Sequence, residues 1–184
     1  MEHCGTKVLE TERLILRRFT IEDAPAMYCN WASDLEVTKY LTWPAHKSID
    51  VTTKILKEWI NSYSKKDYYQ WAITLKNESV GPIGCIGVVD KNDKVSMAHI
   101  GYCIGRKWWK QGITSEALKA VIDFLFDEVK TNRIEARHDP RNPNSGLVMQ
   151  KCGMIYEGTM RASDWNNQGI CDACYYSILK EDVK

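Results

Sequence analysis

The sequence has no excess of charge of either sign and no long apolar run. Its 184 residues include 25 Lys and Arg against 24 Asp and Glu, which gives a formal net charge of +1. A nucleic-acid backbone selects a clearly basic surface, so direct nucleic-acid binding is not expected. No stretch approaches the roughly 20 apolar residues of a membrane-spanning helix, and the first residues lack the apolar segment of a signal peptide. We therefore expect no membrane association and a cytoplasmic location.

Cysteine is present, but without the spacing of a metal site or a disulfide framework. The seven cysteines are odd in number and irregularly spaced, and several lie in apolar segments. One Cys-x-x-Cys pair, Cys171 and Cys174, has no second pair to complete a zinc site. The pattern predicts reduced and mostly buried thiols, this pair on one strand, and no bound metal.

Repeats, low-complexity tracts and Gly/Pro/Ser-rich linkers are also missing, so one domain is expected over residues 1–184. Apolar periodicity predicts a strand at 13–17, then a helix opened by Thr20-x-x-Asp23 and another after Ser48. Three strands follow with connections too short for helical crossovers, so they should form an antiparallel meander. Their predicted bounds are Tyr69–Leu75, Pro82–Val89 and Val95–Ile104.

The last third of the chain alternates helices and strands. The predicted order is an amphipathic helix from Ser115 to about Val129, a strand at Arg133–His138, a helix at Asn142–Cys152, and two strands around an insertion at 165–169. This order predicts an α/β (α+β) fold in which helices flank a mixed, mostly antiparallel sheet.

The most informative segment runs from Gly101 to Ala117, where a strand leads through a glycine-containing loop into a helix. The first turn of a helix leaves backbone N–H groups unpaired at the positive end of the helix dipole, and such an end binds phosphate. Gly112 lets a ligand approach the backbone, while Thr114 and Ser115 can cap the helix or donate a hydroxyl group. The signatures of a P-loop and of a dinucleotide-binding fold are both missing.

This segment resembles motif A of the GNAT N-acetyltransferases, in the form found in their RimJ/RimL branch. Residues 9–17, residues 142–154 with their N-x-x-S and K-x-G elements, and residues 157–161 also resemble that branch, in the same order. The segment departs from the family pattern at Trp109, Lys110 and Thr114. These changes leave the backbone amides of the loop intact, so the resemblance still implies the GNAT fold and acetyl-CoA binding.

The resemblance also implies where acetyl-CoA lies. Its pantetheine arm would pair with the strand that ends at Cys103 and Ile104, and the strand at Arg133–His138 would diverge to open a slot. Its pyrophosphate would rest on the loop amides, and Asn142 would bind the pantetheine. The implied cofactor-binding residues are Cys103, Ile104, Trp109, Lys110, Gln111, Gly112, Ile113, Thr114, Ser115, Asn142 and Ser145.

The implied chemistry is attack of a neutral amine on the thioester, which needs a base and a proton for the departing thiolate. The tyrosine acid of several GNAT enzymes is replaced here by Met149, so Ser145 is the candidate acid. His138 and His99 are the candidate bases, because imidazole titrates near neutral pH. The remaining candidates for the base are Glu135, Asp139 and a water chain.

The sequence carries fewer signals for the acceptor than for the cofactor. Aromatic side chains in the first helical region and the late hairpin can line a groove for a peptide or simply fill the core. The resemblance favours a primary amine as acceptor, first the N-terminal α-amine of a ribosomal or other protein or of a peptide. The alternatives are a small-molecule amine and acetyl-CoA binding without catalysis. Homodimerisation through the late strands is compatible with the resemblance.

Overall fold

An eight-stranded sheet in the order β1-β2-β3-β4-β5-β6-β8-β7 runs through the computed structural model, which describes residues 1–183. The strands are β1 (Leu9–Glu10), β2 (Leu14–Arg17), β3 (Gln70–Leu75), β4 (Gly84–Asn92), β5 (Met97–Ile104), β6 (Arg133–His138), β7 (Ile155–Asn166) and β8 (Gly169–Leu179). Among the strand pairs of the described residues, only β5 and β6 run parallel. The other neighbours are antiparallel, as predicted for the meander β3–β4–β5.

Five α-helices accompany the sheet: α1 (Ala24–Met27), α2 (Leu35–Thr38), α3 (Ile49–Ser62), α4 (Ile113–Asp127) and α5 (Pro143–Lys151). The predicted helix after Thr20 is a succession of a 3₁₀ turn, α1 and a π-helical turn at Tyr28–Ala32. Its capping interaction is present, since the Thr20 amide donates to Asp23 Oδ2 at 2.8 Å. Within residues 1–183, none of these helices is long and apolar enough to cross a membrane.

Several predicted boundaries were wrong by a few residues. Val95 lies in a 3₁₀ turn rather than in β5, and β4 continues to Asn92 because its pairing resumes after a bulge that follows Val88. Helix α4 begins at Ile113 rather than Ser115, because Gly112 takes the N-cap position and its carbonyl accepts from the Glu116 amide at 3.0 Å.

The hydrophobic core lies on both faces of the sheet. The apolar stripe predicted for α4 is buried against one face and consists of Ala117, Leu118, Val121, Ile122, Leu125 and Phe126. The opposite face packs against α1, the π-helical turn and α3, where Met27, Trp31 and Leu56 respectively are buried. Full burial of one such side chain contributes about 1.5–3 kcal/mol, so both faces fix the sheet that carries the site.

The parallel pair β5–β6 separates soon after it forms. Three Cα pairs join the strands, and the last of them is His99 with Glu135. Beyond that pair β5 continues to Ile104 and β6 to His138 without pairing to each other. The β4 bulge lies beside the same position, where bulges commonly redirect a strand. The divergence predicted from the family resemblance is therefore present and leaves β5 with an open edge.

All seven cysteines are free thiols, and Cys171 and Cys174 lie together on β8 as predicted. Cys85 and Cys103 face each other on β4 and β5 with their sulfur atoms 3.5 Å apart. Within residues 1–183, His, Cys, Asp and Glu side chains form no group of three or more that could hold a metal ion.

Candidate active site

The loop from Gly105 to Gly112 is folded back onto the end of β5. Residues Arg106–Trp108 form a 3₁₀ turn, and the Trp109 indole N–H donates to the Ile104 carbonyl at 2.8 Å. Lys110 and Gly112 both have a left-handed backbone, with φ of 61° and 76°. A left-handed N-cap without a side-chain cap leaves the first N–H groups of α4 directed out of the helix. This end of α4 can therefore receive an anion.

Arg13, which directly precedes β2, holds this loop in place. Arg13 Nε donates to Glu116 Oε2 at 2.7 Å, and Arg13 Nη1 donates to the Gln111 carbonyl at 3.0 Å. The Gln111 side chain turns away from the helix end and donates to the Lys107 carbonyl at 2.8 Å. These contacts join the segment at 9–17 to the loop and to the first turn of α4.

A second anchored loop leads into α5. The buried Asp139 carboxylate accepts from Arg141 Nη2 at 2.6 Å and from Asn166 Nδ2 at 2.8 Å, and the Asp139 carbonyl accepts from the Asn142 amide at 2.8 Å. The Arg141 guanidinium holds the pKa of Asp139 well below its usual range. Because this network crosses from β6 to the β7–β8 hairpin, it fixes the position of Asn142 at the start of α5.

A pocket of about 500 Å³ lies between these two helix N-termini and the open edge of β5. Its walls come from four segments, within residues 36–41, 102–104, 108–115 and 141–151. Every predicted cofactor-binding residue except Gln111 lines it. Lys39, Lys110 and Lys151 contribute positive charge, the charge of Arg141 is paired with Asp139, and Glu36 is the acidic residue of the lining. A phosphate-bearing ligand with a long flexible arm fits both this charge and the shape of the slot.

A second hollow of about 620 Å³ lies between β1 and α4. It is open, its lining includes Glu116, Asp123, Asp127 and Glu128, and none of the predicted site residues lines it. Its acidic character does not suit a phosphate-bearing ligand.

Ser145 is in the first turn of α5 and lines the pocket. The Tyr102 hydroxyl, which sequence reasoning did not select, lies 2.9 Å from the Ser145 carbonyl oxygen and 3.0 Å from Ser145 Oγ. Burial raises the pKa of Tyr102 well above its ordinary value. The two-residue spacing between Ile100, Tyr102 and Ile104 could have indicated that Tyr102 faces α5, but its contact with Ser145 depends on the tertiary fold.

The two candidate histidines lie outside the pocket lining. His99 is 4% exposed and stands where β5 and β6 separate, with Nδ1 3.3 Å from Glu135 Oε1. Burial lowers the pKa of His99, and the Arg137 guanidinium lowers it further against the opposing effect of Glu135. His99 is therefore neutral at pH 7.

His138 is held between α5 and β8. Its Nδ1 donates to the Asp139 carbonyl at 2.8 Å, and its buried Nε2 has no hydrogen-bond partner within residues 1–183. This Nε2 faces Gly146, where an added Cβ would lie only 2.6 Å away. The geometry directs His138 into the packing beneath α5 rather than toward the pocket.

Three carboxylates on the face of the sheet that carries His99 are paired with arginines. Arg133 binds Glu157 with two hydrogen bonds of 2.8 and 2.6 Å, and its Nε donates to Glu135 at 3.0 Å. Arg137 Nε donates to Asp164 at 2.6 Å. Asp90, opposite His99 on β4, accepts only from the Lys91 amide at 2.8 Å and is the carboxylate beside His99 that no arginine pairs with among residues 1–183.

The sheet, the open strand edge and the helix terminus together have the form of an acetyl-CoA-dependent transferase. A family model described as an acetyltransferase (GNAT) domain matches residues 13–155. The chain belongs to this GNAT family, and it is an N-acetyltransferase.

Relatives along the full length agree with this assignment. The N-acetyltransferase p20 of Bacillus licheniformis is 31% identical over 176 residues, which are 96% of this chain and 98% of that protein. The N-acetyltransferase YoaA of Bacillus subtilis strain 168 is 31% identical over 175 residues, covering 94% and 97%. The crystal structure of a GNAT-family acetyltransferase from Bacillus anthracis has a TM-score of 0.83 at 26% identity, covering 95% and 99%.

Proposed function

We propose that this enzyme transfers the acetyl group of acetyl-CoA to the N-terminal α-amine of a protein or peptide. Among its relatives, the [ribosomal protein uS5]-alanine N-acetyltransferase of Escherichia coli is 37% identical over 60 residues, which are 33% of this chain and 31% of that protein. That name supports a ribosomal protein as the first acceptor to test. The cytoplasm, where ribosomal proteins are made, is the corresponding proposed location.

The pocket residues suit acetyl-CoA. The diphosphate would bind the backbone amides between Lys110 and Thr114, where the helix dipole and Lys110 both favour negative charge. The pantetheine arm would lie along the unpaired edge of β5 at Cys103 and Ile104, as an added strand would. Asn142, held by the Asp139 network, would bind this arm from the other side of the slot.

His99 is the base that the geometry favours over His138. A neutral imidazole with one nitrogen near Glu135 can accept a proton on the other nitrogen, as a general base must. Its location at the divergence of β5 and β6 puts it beside the end of the slot. His138 donates Nδ1–H to a backbone carbonyl and directs Nε2 at Gly146, so it is better suited to packing.

Ser145 is proposed to donate a hydrogen bond to the departing sulfur atom. Its hydroxyl lies in the pocket wall at the start of α5, close to the hydroxyl of Tyr102. Met149, at the position of the tyrosine acid of several GNAT enzymes, is buried and has no proton to give.

The pairing of carboxylates near His99 is the observation that favours an α-amine over a polycationic acceptor. Polyamines and aminoglycosides bear several positive charges and need several free acidic groups, but Glu135, Glu157 and Asp164 are engaged by arginines. Asp90 alone offers a single negative charge beside His99, which suits a single amine. A single α-amine has a pKa of about 8 and is partly neutral at pH 7, whereas lysine has a pKa of about 10.4. A neutral histidine is therefore a sufficient base for an α-amine.

Two matched peptides test the acceptor. Both begin with alanine and contain one internal lysine, and one of them has a blocked N-terminus. We expect acetyl-CoA-dependent thiol release with the free peptide only, and mass spectrometry should locate the acetyl group on the α-amine. Acetylation of lysine in both peptides would overturn the α-amine assignment. Turnover confined to a small-molecule amine would replace it with the alternative acceptor class.

A further inference from the structure

The Tyr102 hydroxyl lies in the pocket wall beside Ser145, and the proposed chemistry gives it no role. Tyr102 lies on β5 and Ser145 on α5, 43 residues apart in the chain, so their contact spans the slot. The hydroxyl has two neighbours, the Ser145 carbonyl oxygen at 2.9 Å and Ser145 Oγ at 3.0 Å.

Counting protons shows that these two contacts cannot be equivalent. A tyrosine hydroxyl has one proton, and a carbonyl oxygen can only accept. When Tyr102 donates to the carbonyl oxygen, its own oxygen accepts from the Ser145 O–H. When Tyr102 donates to Ser145 Oγ instead, the Ser145 proton must point elsewhere, and the pocket is the side of Ser145 that remains open.

We propose that Tyr102 is a positioning residue that turns the Ser145 O–H toward the sulfur of the departing CoA. This proposal rests on the proposed function. During transfer the amine nitrogen bonds to the acetyl carbon, the C–S bond breaks, and sulfur keeps the electron pair. The base takes the amine proton, and Ser145 donates a hydrogen bond to the thiolate while Tyr102 rotates its proton from the carbonyl to Oγ.

Neither hydroxyl loses its proton in this scheme. The thiolate takes a proton from solvent as CoA leaves, and the base returns its proton to solvent, so charge and atoms balance. Burial raises the pKa of Tyr102, so its hydroxyl keeps its proton at neutral pH. Tyr102 therefore acts through the orientation of Ser145 and not as an acid.

Tyr102→Phe tests this role, because it removes the hydroxyl and keeps the ring. We expect kcat to fall about tenfold, the effect of one hydrogen bond, while the KM for acetyl-CoA stays within about twofold. Ser145→Ala should lower kcat at least as much. The double variant should be no slower than Ser145→Ala, because both changes remove one contact.

Tyr63→Phe is the matched control. The Tyr63 hydroxyl donates to the Gln70 carbonyl at 2.9 Å and accepts from the Phe19 amide at 2.9 Å, and none of these three residues lines the pocket. It should lower thermal stability as Tyr102→Phe does, without the fall in kcat. Equal losses of kcat from Tyr102→Phe in the wild-type and Ser145→Ala backgrounds would overturn the proposal.

A binding measurement tests the positioning role of Tyr102 in the absence of an acceptor. Calorimetry would compare CoA with dethio-CoA, which carries hydrogen in place of the thiol, as the pH rises through ionisation of the thiol. Wild type should increasingly prefer CoA, and Tyr102→Phe and Ser145→Ala should both lose that preference. No preference in wild type, or full preference in Tyr102→Phe, would overturn the proposal. Failure of wild type to bind either compound would instead contradict the acetyl-CoA pocket and the proposed function with it.

Discussion

At the scale of single residues, burial decides which groups can take part in proton transfer. His99 is buried beside an arginine and a carboxylate, and the net effect lowers its pKa. Tyr102 is buried without a charged partner, and its pKa rises. The first is thus available as a base at neutral pH, whereas the second remains a hydrogen-bond donor.

His99→Gln should lower kcat/KM for an α-amine peptide by about 100-fold at pH 7, the lower limit of what a general base contributes. The loss should shrink as the pH rises past the α-amine pKa of about 8, because solvent then deprotonates the amine. Initial rates across this pH range check the prediction. His3→Gln, which removes a histidine that bonds Asp93 and Tyr69 outside the pocket lining, is the control. A loss that is the same at every pH would remove His99 from proton transfer.

At the scale of secondary-structure elements, the packing of α5 against β6 positions both Asn142 and Ser145. Gly146 lies against His138 so closely that no side chain can be added without movement, with the nearest ring atom at 2.6 Å from an added Cβ. Asp139 holds the preceding loop from the other side. The start of α5 is therefore fixed by one steric contact and one charged network.

Gly146→Ala should push α5 away from β6 and lower the free energy of unfolding by about 1–3 kcal/mol, the usual cost of overpacking. The affinity for acetyl-CoA should fall with it. His138→Ala in the same chain should recover part of both losses, because it removes the ring that the new methyl group meets. Denaturant unfolding and calorimetry of the single and double variants check this. Simple additivity of the two changes would show that α5 does not depend on this contact.

Much of this arrangement was predictable from the sequence. Periodicity predicts the meander, α4 and β6, and the motif from Gly101 to Ala117 predicts the β5 edge and the α4 end of the pocket lining, because these signals are local along the chain. The contribution of α2 and Arg141 to the pocket was not predictable, since it depends on how distant segments pack. The positions of His99 and His138 relative to the slot depend equally on where β5 and β6 diverge.

At the scale of the whole molecule, the pocket forms where the sheet changes from antiparallel to parallel pairing. Helices on both faces fix β5, and the early end of the β5–β6 ladder exposes its edge beside the start of α4.

The outer strand β7 and its hairpin carry exposed apolar residues, among them Ile155, Met160 and Ile170. These residues support the proposal of a homodimer through the late strands, which light scattering would test.

The comparison of Gly112→Asp with Gly112→Asn tests the central claim most directly. Both side chains tolerate the left-handed backbone at this position, and an added Cβ meets only Arg13 Nη2 at 3.6 Å, so the two variants differ mainly in charge. Calorimetry should show that Gly112→Asn binds acetyl-CoA within a few-fold of wild type, while Gly112→Asp loses about 100-fold or more, because its carboxylate repels the diphosphate. Equal binding by the two variants would mean that the diphosphate does not lie on the N-terminus of α4.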